Sequence, residues 1–224
     1  MKYLLITIDG PAGAGKTTVS RGLAQSLGYR YIDTGALYRG VAFQAKSHGI
    51  RHDDDKGLEY LCSILDIKFV SGKDGTRLIV NDLDITDQIR TPEITMLASA
   101  VSARSVVRKC LLDLQKEIGK EKGVVFEGRD MGTVVFPDAD VKFYLDASCK
   151  TRAMRRYKEL SSKNSVTLEE IERDIKDRDK NDSTRVLAPL KPAKDAVIVD
   201  STDLSVKEVI ELMLIHIPNI LRER

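Results

Sequence analysis

The run Gly10-x-x-x-x-Gly15-Lys16-Thr17, set between an apolar strand and an amphipathic helix, leaves few folds open to a chain. Average glycine usage alone would produce the pattern in roughly one unrelated chain of this length in a hundred. Its flanks make it specific. Tyr3-Leu4-Leu5-Ile6-Thr7-Ile8 is apolar and β-branched, as a buried strand is. After the loop, Val19, Leu23, Ala24 and Leu27 recur at helical spacing. Glycines let backbone N–H groups converge on phosphate oxygens without Cβ clashes. The helix that follows adds unpaired N–H groups and the positive end of its dipole. Gly10, Pro11, Ala12, Gly13, Ala14, Gly15, Lys16, Thr17 and Thr18 are therefore the candidate nucleotide-phosphate contacts. Lys16 is placed to reach the β- and γ-phosphates, and the Thr17 hydroxyl to ligate Mg²⁺.

Composition narrows the class further. The chain has 224 residues, 42% of them hydrophobic, enough for one substantial core with room for an inserted subdomain. Lys+Arg 36 against Asp+Glu 34 leaves a net charge of +2, unlike a polybasic nucleic-acid binder. Cys62, Cys110 and Cys149 are scattered and have no metal-ligand spacing, so reduced thiols and a cytoplasmic setting are expected. Asp9 interrupts the apolar opening, which reads as a first strand and not a signal peptide. No apolar run is long enough to span a bilayer.

In order, the pattern alternates. A strand at Tyr29–Ile32 ends at Asp33-Thr34-Gly35, and a helix with Leu37, Val41, Phe43 and Ala45 on its apolar positions follows. Asp53-Asp54-Asp55 reads as a solvated loop and cap ahead of a short helix, Leu58–Leu65. Ile67–Val70, Arg77–Val80 and Leu83–Thr86 are strand-like, separated by Ser71–Gly75 and Asn81-Asp82, which predicts a small antiparallel meander. Pro92 starts a helical stretch that breaks near Arg104-Ser105 and runs to about Lys120. Core strands return at Val124–Phe126, Val141–Leu145 and Ala196–Val199. Thr151–Leu160 is an arginine-crowded helix broken by Asn164-Ser165. Thr167-Leu168-Glu169-Glu170 opens another helix with a capping box, Pro189 and Pro192 mark a loop, and Ser205–Leu221 closes the chain as an amphipathic helix. The expected fold is α/β: a P-loop three-layer fold with a five-stranded parallel sheet flanked by helices, plus an inserted three-stranded antiparallel meander. It is read as a single domain over 1–224.

Ligands in such folds sit at the carboxyl ends of the strands. The phosphate loop, Asp33-Thr34-Gly35, Gly128-Arg129-Asp130 and the helix after Asp146 all fall there. Arg39 and Arg129, from neighbouring strand ends, suggest a second phosphate-bearing ligand, because guanidinium grips phosphate in a bidentate way. Arg152, Arg155 and Arg156 have i, i+3, i+4 spacing and share a face that could close over a γ-phosphate, although a solvated basic face has the same spacing.

Four blocks together resemble the bacterial cytidylate kinases, a nucleoside monophosphate kinase family of P-loop proteins. They are Ile8–Lys16, Asp33-Thr34-Gly35-Ala36-Leu37-Tyr38-Arg39, Gly128-Arg129-Asp130-Met131-Gly132-Thr133-Val134-Val135-Phe136-Pro137, and Arg178-Asp179 with Arg185-x-x-Ala188-Pro189-Leu190. The resemblance covers essentially the whole chain, and its Gly-Arg-Asp-Met-Gly-Thr block is the most specific part. It implies transfer of the γ-phosphoryl of ATP to CMP or dCMP, with Mg²⁺ as cofactor. By resemblance, the region about 35–120 binds the monophosphate and about 149–185 forms an arginine-rich lid. Lys16 from the phosphate loop, Arg129 at its strand end, and Arg152 and Arg156 from the helix spacing are the candidate catalytic residues. Thr34, Arg39, Ser99, Arg108, Arg129, Asp130, Arg178, Asp182 and Arg185 are the implied substrate contacts. Of these, Arg39, Arg129 and Arg178 hold the acceptor phosphate; Ser99, Arg108 and Asp130 read the base; Asp182 and Arg185, with Arg178, meet the sugar. A monomer is expected, with small nucleotides as its partners and neither nucleic acid nor membrane.

One residue departs from the family pattern. Glu127 stands where aspartate usually precedes Gly-Arg-Asp, so its contact is left open. No apolar strand ending in aspartate stands out as a second Mg²⁺ element, and Asp33 and Asp130 are candidates acting through water. Cytosine's exocyclic amine needs an acceptor such as Asp130, and uracil would leave it unpaired at about 1–3 kcal/mol. A rival reading is another small P-loop kinase with a different acceptor. A GTPase switch is disfavoured by the absence of an Asn-Lys-x-Asp motif. An ATPase of other purpose is the remaining fallback.

Overall fold

In a computed structural model describing residues 3–72, 75–160 and 167–222, the chain runs through eight strands and eight α-helices. They begin with β1 (Leu5–Asp9), α1 (Lys16–Leu27), β2 (Arg30–Asp33), α2 (Thr34–Ser47) and α3 (Asp55–Ile64). Then come β3 (Ile67–Gly72), β4 (Gly75–Val80), β5 (Leu83–Asp84), α4 (Pro92–Ser102) and α5 (Ser105–Gly119). The remainder is β6 (Val124–Glu127), β7 (Val141–Asp146), α6 (Cys149–Leu160), α7 (Leu168–Thr184), β8 (Val197–Asp200) and α8 (Val206–Arg222). Two compact units emerge, one made of Met1–Tyr31 and Lys122–Arg224, the other of Ile32–Glu121.

The first unit carries the parallel sheet in the order β2-β6-β1-β7-β8. β1 is central: Ile8 is aligned with Glu127 on one side and with Phe143 on the other. Its five residues are all buried, as expected for a strand covered on both faces. Leu4, Ile6, Ile8, Val125, Val141 and Phe143 pack with Val19 and Leu23 of α1 and Val209 and Met213 of α8. Gly22 brings α1 close to α8, since a Cβ there would lie 2.4 Å from Ile210 Cδ1. A smaller cluster, Ala153, Ile171 and Ile175, joins α6 to α7. The capping box at Thr167 forms as the sequence predicts, with Thr167 Oγ1 accepting from Glu170 N and Glu170 accepting from Thr167 N.

The second unit has its own core, in which α2 packs on α4 and α5. Leu37, Val41, Leu58, Leu78, Val80, Ile85 and Leu111 are fully or almost fully buried there. Asp54 caps α3 by accepting from Gly57 N at 3.0 Å, and Thr91 caps α4 with Pro92 in its first turn. The meander forms as β3-β4-β5, turning at Asn81 and Asp82, both left-handed. Its third strand is shorter than the Leu83–Thr86 run. Thr86 Oγ1 accepts from Leu78 N at 2.8 Å, so a side chain takes over where the ladder would have continued. Lys73, Asp74, Asn164 and Ser165 of the expected turns lie outside the described residues. Among the described residues, no helix is long and apolar enough to cross a membrane.

The sequence pattern did not disclose a π-helical turn, Met131–Val135, directly after β6. Val135 N donates to Asp130 O at 3.2 Å and Phe136 N to Met131 O at 2.7 Å. The Phe136 ring rests 4.6 Å from that of Phe126.

Candidate active site

The phosphate loop leaves β1 at Gly10, where φ is +150° and a Cβ would stand 2.0 Å from Leu145 O. No other residue fits without moving β7. Gly15, also left-handed, caps α1, and Lys16 is the helix's first residue. Lys16 is only 4% exposed and donates to Pro11 O at 2.6 Å, folding its ammonium back over the loop. Burial holds the lysine well below its ordinary pKa; the Arg129 guanidinium is the next largest cause, and Arg178 adds to it. Glu127 and Asp182 oppose the shift. Two half-buried arginines thus act on the buried lysine, a field that a polyanion relieves.

Thr17 follows on α1. Its Oγ1 donates to Glu127 Oε1 at 2.8 Å, and Glu127 Oε2 accepts from the Tyr31 hydroxyl at 2.5 Å. Glu127, 8% exposed, ends β6 beside β1. The contact left open for Glu127, one methylene longer than aspartate, is thus to Thr17 and Tyr31. Val124-Val125-Phe126-Glu127 was legible as apolar strand plus acid once glutamate is admitted. A hydroxyl and a carboxylate side by side suit a hard cation such as Mg²⁺. Asp33 caps α2 through Ala36 N and pairs with Arg39 at 2.6 Å. Asp130 lies 3.6 Å from Arg185.

Asp9, the last residue of β1, receives Met131 N at 2.9 Å and Gly132 N at 2.7 Å. It thereby caps the π-helical turn and anchors the Gly-Arg-Asp-Met-Gly segment to the start of the loop. Gly132 allows this approach, since a Cβ there would lie 3.0 Å from Thr7 Oγ1 and 3.4 Å from Asp9 Oδ2. Burial pushes the Asp9 carboxyl up to about 6, against the two backbone donors, which lower it.

Four predicted substrate residues of the first unit, Arg129, Asp130, Asp182 and Arg185, form one ion-pair network. Arg129 Nε donates to Asp182 Oδ2 at 3.1 Å. Arg185 lies 4.0 Å from Asp182 and donates through Nε to Ala188 O at 2.6 Å. Asp130 and Asp182 are 2% and 5% exposed, so these are buried charges held by partners. Arg178 stands in the same electrostatic neighbourhood through its effect on Lys16.

The arginine helix divides by face. Arg152 is buried, donating to Ala147 O at 2.9 Å and to the loop's Ala12 O at 3.0 Å, and pairing with Asp179 at 2.6 Å. Arg155 also reaches the loop, with Nη1 at 3.3 Å from Ala14 O and Nη2 donating to Ser201 O at 2.6 Å. Arg156 points outward, 45% exposed, to Glu159 at 3.0 Å. The sequence spacing put all three on one face; the structure sends the first two to the loop.

In the second unit, Thr34 is buried in the first turn of α2. Arg39 is held by Asp33. Arg108 sits over the Tyr38 ring at 5.9 Å, with Nη1 donating to Ser102 O at 3.4 Å. Ser99 is half-buried on α4, and its carbonyl accepts from Ser102 Oγ.

A five-stranded parallel sheet with this loop between β1 and α1, its lysine buried and its strand-end acid on the loop threonine, defines a P-loop phosphotransferase. Solved P-loop kinases share the fold. A shikimate kinase from Acinetobacter baumannii in complex with shikimate has a TM-score of 0.51 at 16% identity, covering 97% of this chain and 94% of its own. A gluconokinase from Sinorhizobium meliloti 1021 has a TM-score of 0.51 at 14% identity, covering 97% and 93%. The chain belongs to the cytidylate kinase family, whose model matches residues 6–219. A cytidylate kinase from Geobacter sulfurreducens is 51% identical over 222 residues, covering 99% of this chain and 94% of its own. One from Geobacter sp. strain M21 is 51% identical over 94% of this chain and 91% of its own, and one from Pasteurella multocida is 46% identical over 96% and 95%.

Proposed function

We propose that this chain transfers the γ-phosphoryl of ATP to the phosphate of CMP or dCMP, giving ADP and CDP or dCDP. The observation that carries the reading is the buried Lys16 of the phosphate loop, with the Thr17–Glu127 pair beside it, in a chain of the cytidylate kinase family. Little covalent chemistry falls to the protein, because the acceptor phosphate is already an anionic nucleophile at neutral pH. The residues position the reactants and neutralise charge. Loop N–H groups and Lys16 hold the ATP phosphates, and Arg129 and Arg178 take the acceptor phosphate. Arg152 braces the loop from α6, and Arg156 is assigned to the transferring group on lid closure. Asp182 and Arg185 are assigned to the sugar. In the second unit, Arg39 contributes to the acceptor phosphate, Ser99 and Arg108 to the base, and Thr34 to the same ligand. Mg²⁺, when bound by Thr17 and Glu127, offsets negative charge on the polyphosphate.

Asp130 is the acceptor assigned to cytosine's exocyclic amine, with the Arg185 guanidinium 3.6 Å from it. The reading carries with it nucleotides as partners, a monomer in solution and a cytoplasmic location.

The test is ADP formation from Mg-ATP with CMP, dCMP, UMP and AMP offered separately. Turnover with the first two at least about tenfold above the others fits the base-reading pocket. Equal turnover with UMP keeps the kinase and removes the Asp130 assignment. ADP formed at one rate regardless of acceptor would mean an ATPase.

A further inference from the structure

Four side chains from three elements close a ring at the end of β6. Thr17 and Arg21 are four residues apart on α1 and so share a face. Thr17 donates to Glu127 Oε1 at 2.8 Å, and Tyr31 of β2 donates to Glu127 Oε2 at 2.5 Å. The Arg21 guanidinium then covers the Tyr31 ring, 5.3 Å from its centroid, and completes the circuit back to α1.

We propose that Tyr31 is a positioning residue for the cation-holding pair, acting through Glu127. The inference rests on the reading of Thr17 and Glu127 as the Mg²⁺ side of the site. The physical need comes from chain length. Glutamate has one more rotatable bond than aspartate, so its carboxylate sweeps a wider arc from the same backbone position. A carboxylate that must meet Thr17 in one orientation therefore needs a second anchor. The Tyr31 hydroxyl supplies it by a charge-assisted hydrogen bond to the far oxygen, leaving Oε1 turned to Thr17. The ring is in turn fixed from outside by Arg21, whose cation–π contact uses the same helix face as Thr17. A tyrosine that merely filled space would not place its oxygen on that carboxylate. Losing a partner that orients a metal ligand typically costs about 10–100-fold in metal affinity.

Tyr31→Phe removes the hydroxyl and keeps the ring. ADP binding is measured calorimetrically for wild type and variant, once with Mg²⁺ and once with EDTA, alongside the Mg²⁺ concentration giving half-maximal rate with CMP. The expected result is Mg-ADP binding weakened about tenfold in the variant, with metal-free ADP binding unchanged. The Mg²⁺ requirement rises in parallel while the KM for CMP holds. Equal weakening with and without Mg²⁺, or none in either, overturns the proposal. Because the readout is a ratio within one variant, a general loss of stability cannot imitate it. The wild type reports on the underlying reading separately: ADP binding indifferent to Mg²⁺ would remove the metal assignment of Thr17 and Glu127, and the Tyr31 role with it. A second variant, Tyr31→Phe with Glu127→Asp, is expected to show no further loss over Glu127→Asp alone, since the shorter acid no longer meets the tyrosine. Additive losses there would count against the ring.

Discussion

Thr17 and Glu127 lie 110 residues apart in the chain and 2.8 Å apart in space, the threonine hydroxyl donating to the carboxylate that ends β6. Because β6 lies beside β1, the first turn of α1 and the strand-end acid are brought to the same place.

Glu127→Gln keeps size and hydrogen bonding but removes the charge. Its expected cost is about 10–100-fold in CMP-dependent ADP formation at limiting Mg²⁺, with partial recovery at high Mg²⁺. Glu127→Asp retains most activity, since that acid is usual in the family pattern. A glutamine variant with wild-type Mg²⁺ dependence would remove Glu127 from the metal side.

Lys16 is a buried cation whose charged form is disfavoured by burial and by Arg129. Lys16→Met removes that charge at similar volume. The free protein's melting temperature is expected to hold or rise. The turnover rate is expected to fall about 10²-fold or more, because the donor proposed for the ATP phosphates is lost. A variant that melts earlier and still turns over normally would reverse both assignments.

Asp9 gives a pH signature. Its folded pKa of about 6 lies above the ordinary 3.8, so the folded state binds the proton more tightly. The stability it contributes is full below the lower value and is lost as pH rises through about 6. Asp9→Asn cannot titrate. Its stability relative to wild type should climb by roughly 3 kcal/mol between about pH 4 and 7 and then level off. Denaturant titrations at stepped pH measure this, and a flat difference would mean an unshifted carboxyl.

Arg152 and Arg156 separate structure from catalysis. Arg152→Ala strips one hydrogen bond to the loop's Ala12 O, one to Ala147 O and the Asp179 pair, costing about 3 kcal/mol of stability. Arg156→Ala breaks only an exposed pair and costs less than about 0.5 kcal/mol. If Arg156→Ala nonetheless lowers kcat with the melting curve unchanged, its part is played in the closed complex. An unaltered kcat would leave it a solvated surface arginine.

The sequence by itself determined much of the architecture, because the signals involved are local. Strand-loop-helix around Gly10 to Thr18, Asp54 and Thr91 as caps, Pro92 in a first turn, the Thr167 capping box and the Asn81-Asp82 turn each depend on residues within a few positions. The order of the strands, the acid that meets Thr17, the direction Arg155 and Arg156 face, and the docking of Asp9 on the π-helical turn were decided only by tertiary structure. Spacing along a helix says which residues share a face, and consecutive residues diverge by about 100°, but not what that face will meet. Glu127 touches Thr17, and Asp9 touches Met131, because β1 is flanked by β6 on one side and β7 on the other. No window of sequence contains that adjacency, since it is fixed by packing the whole sheet.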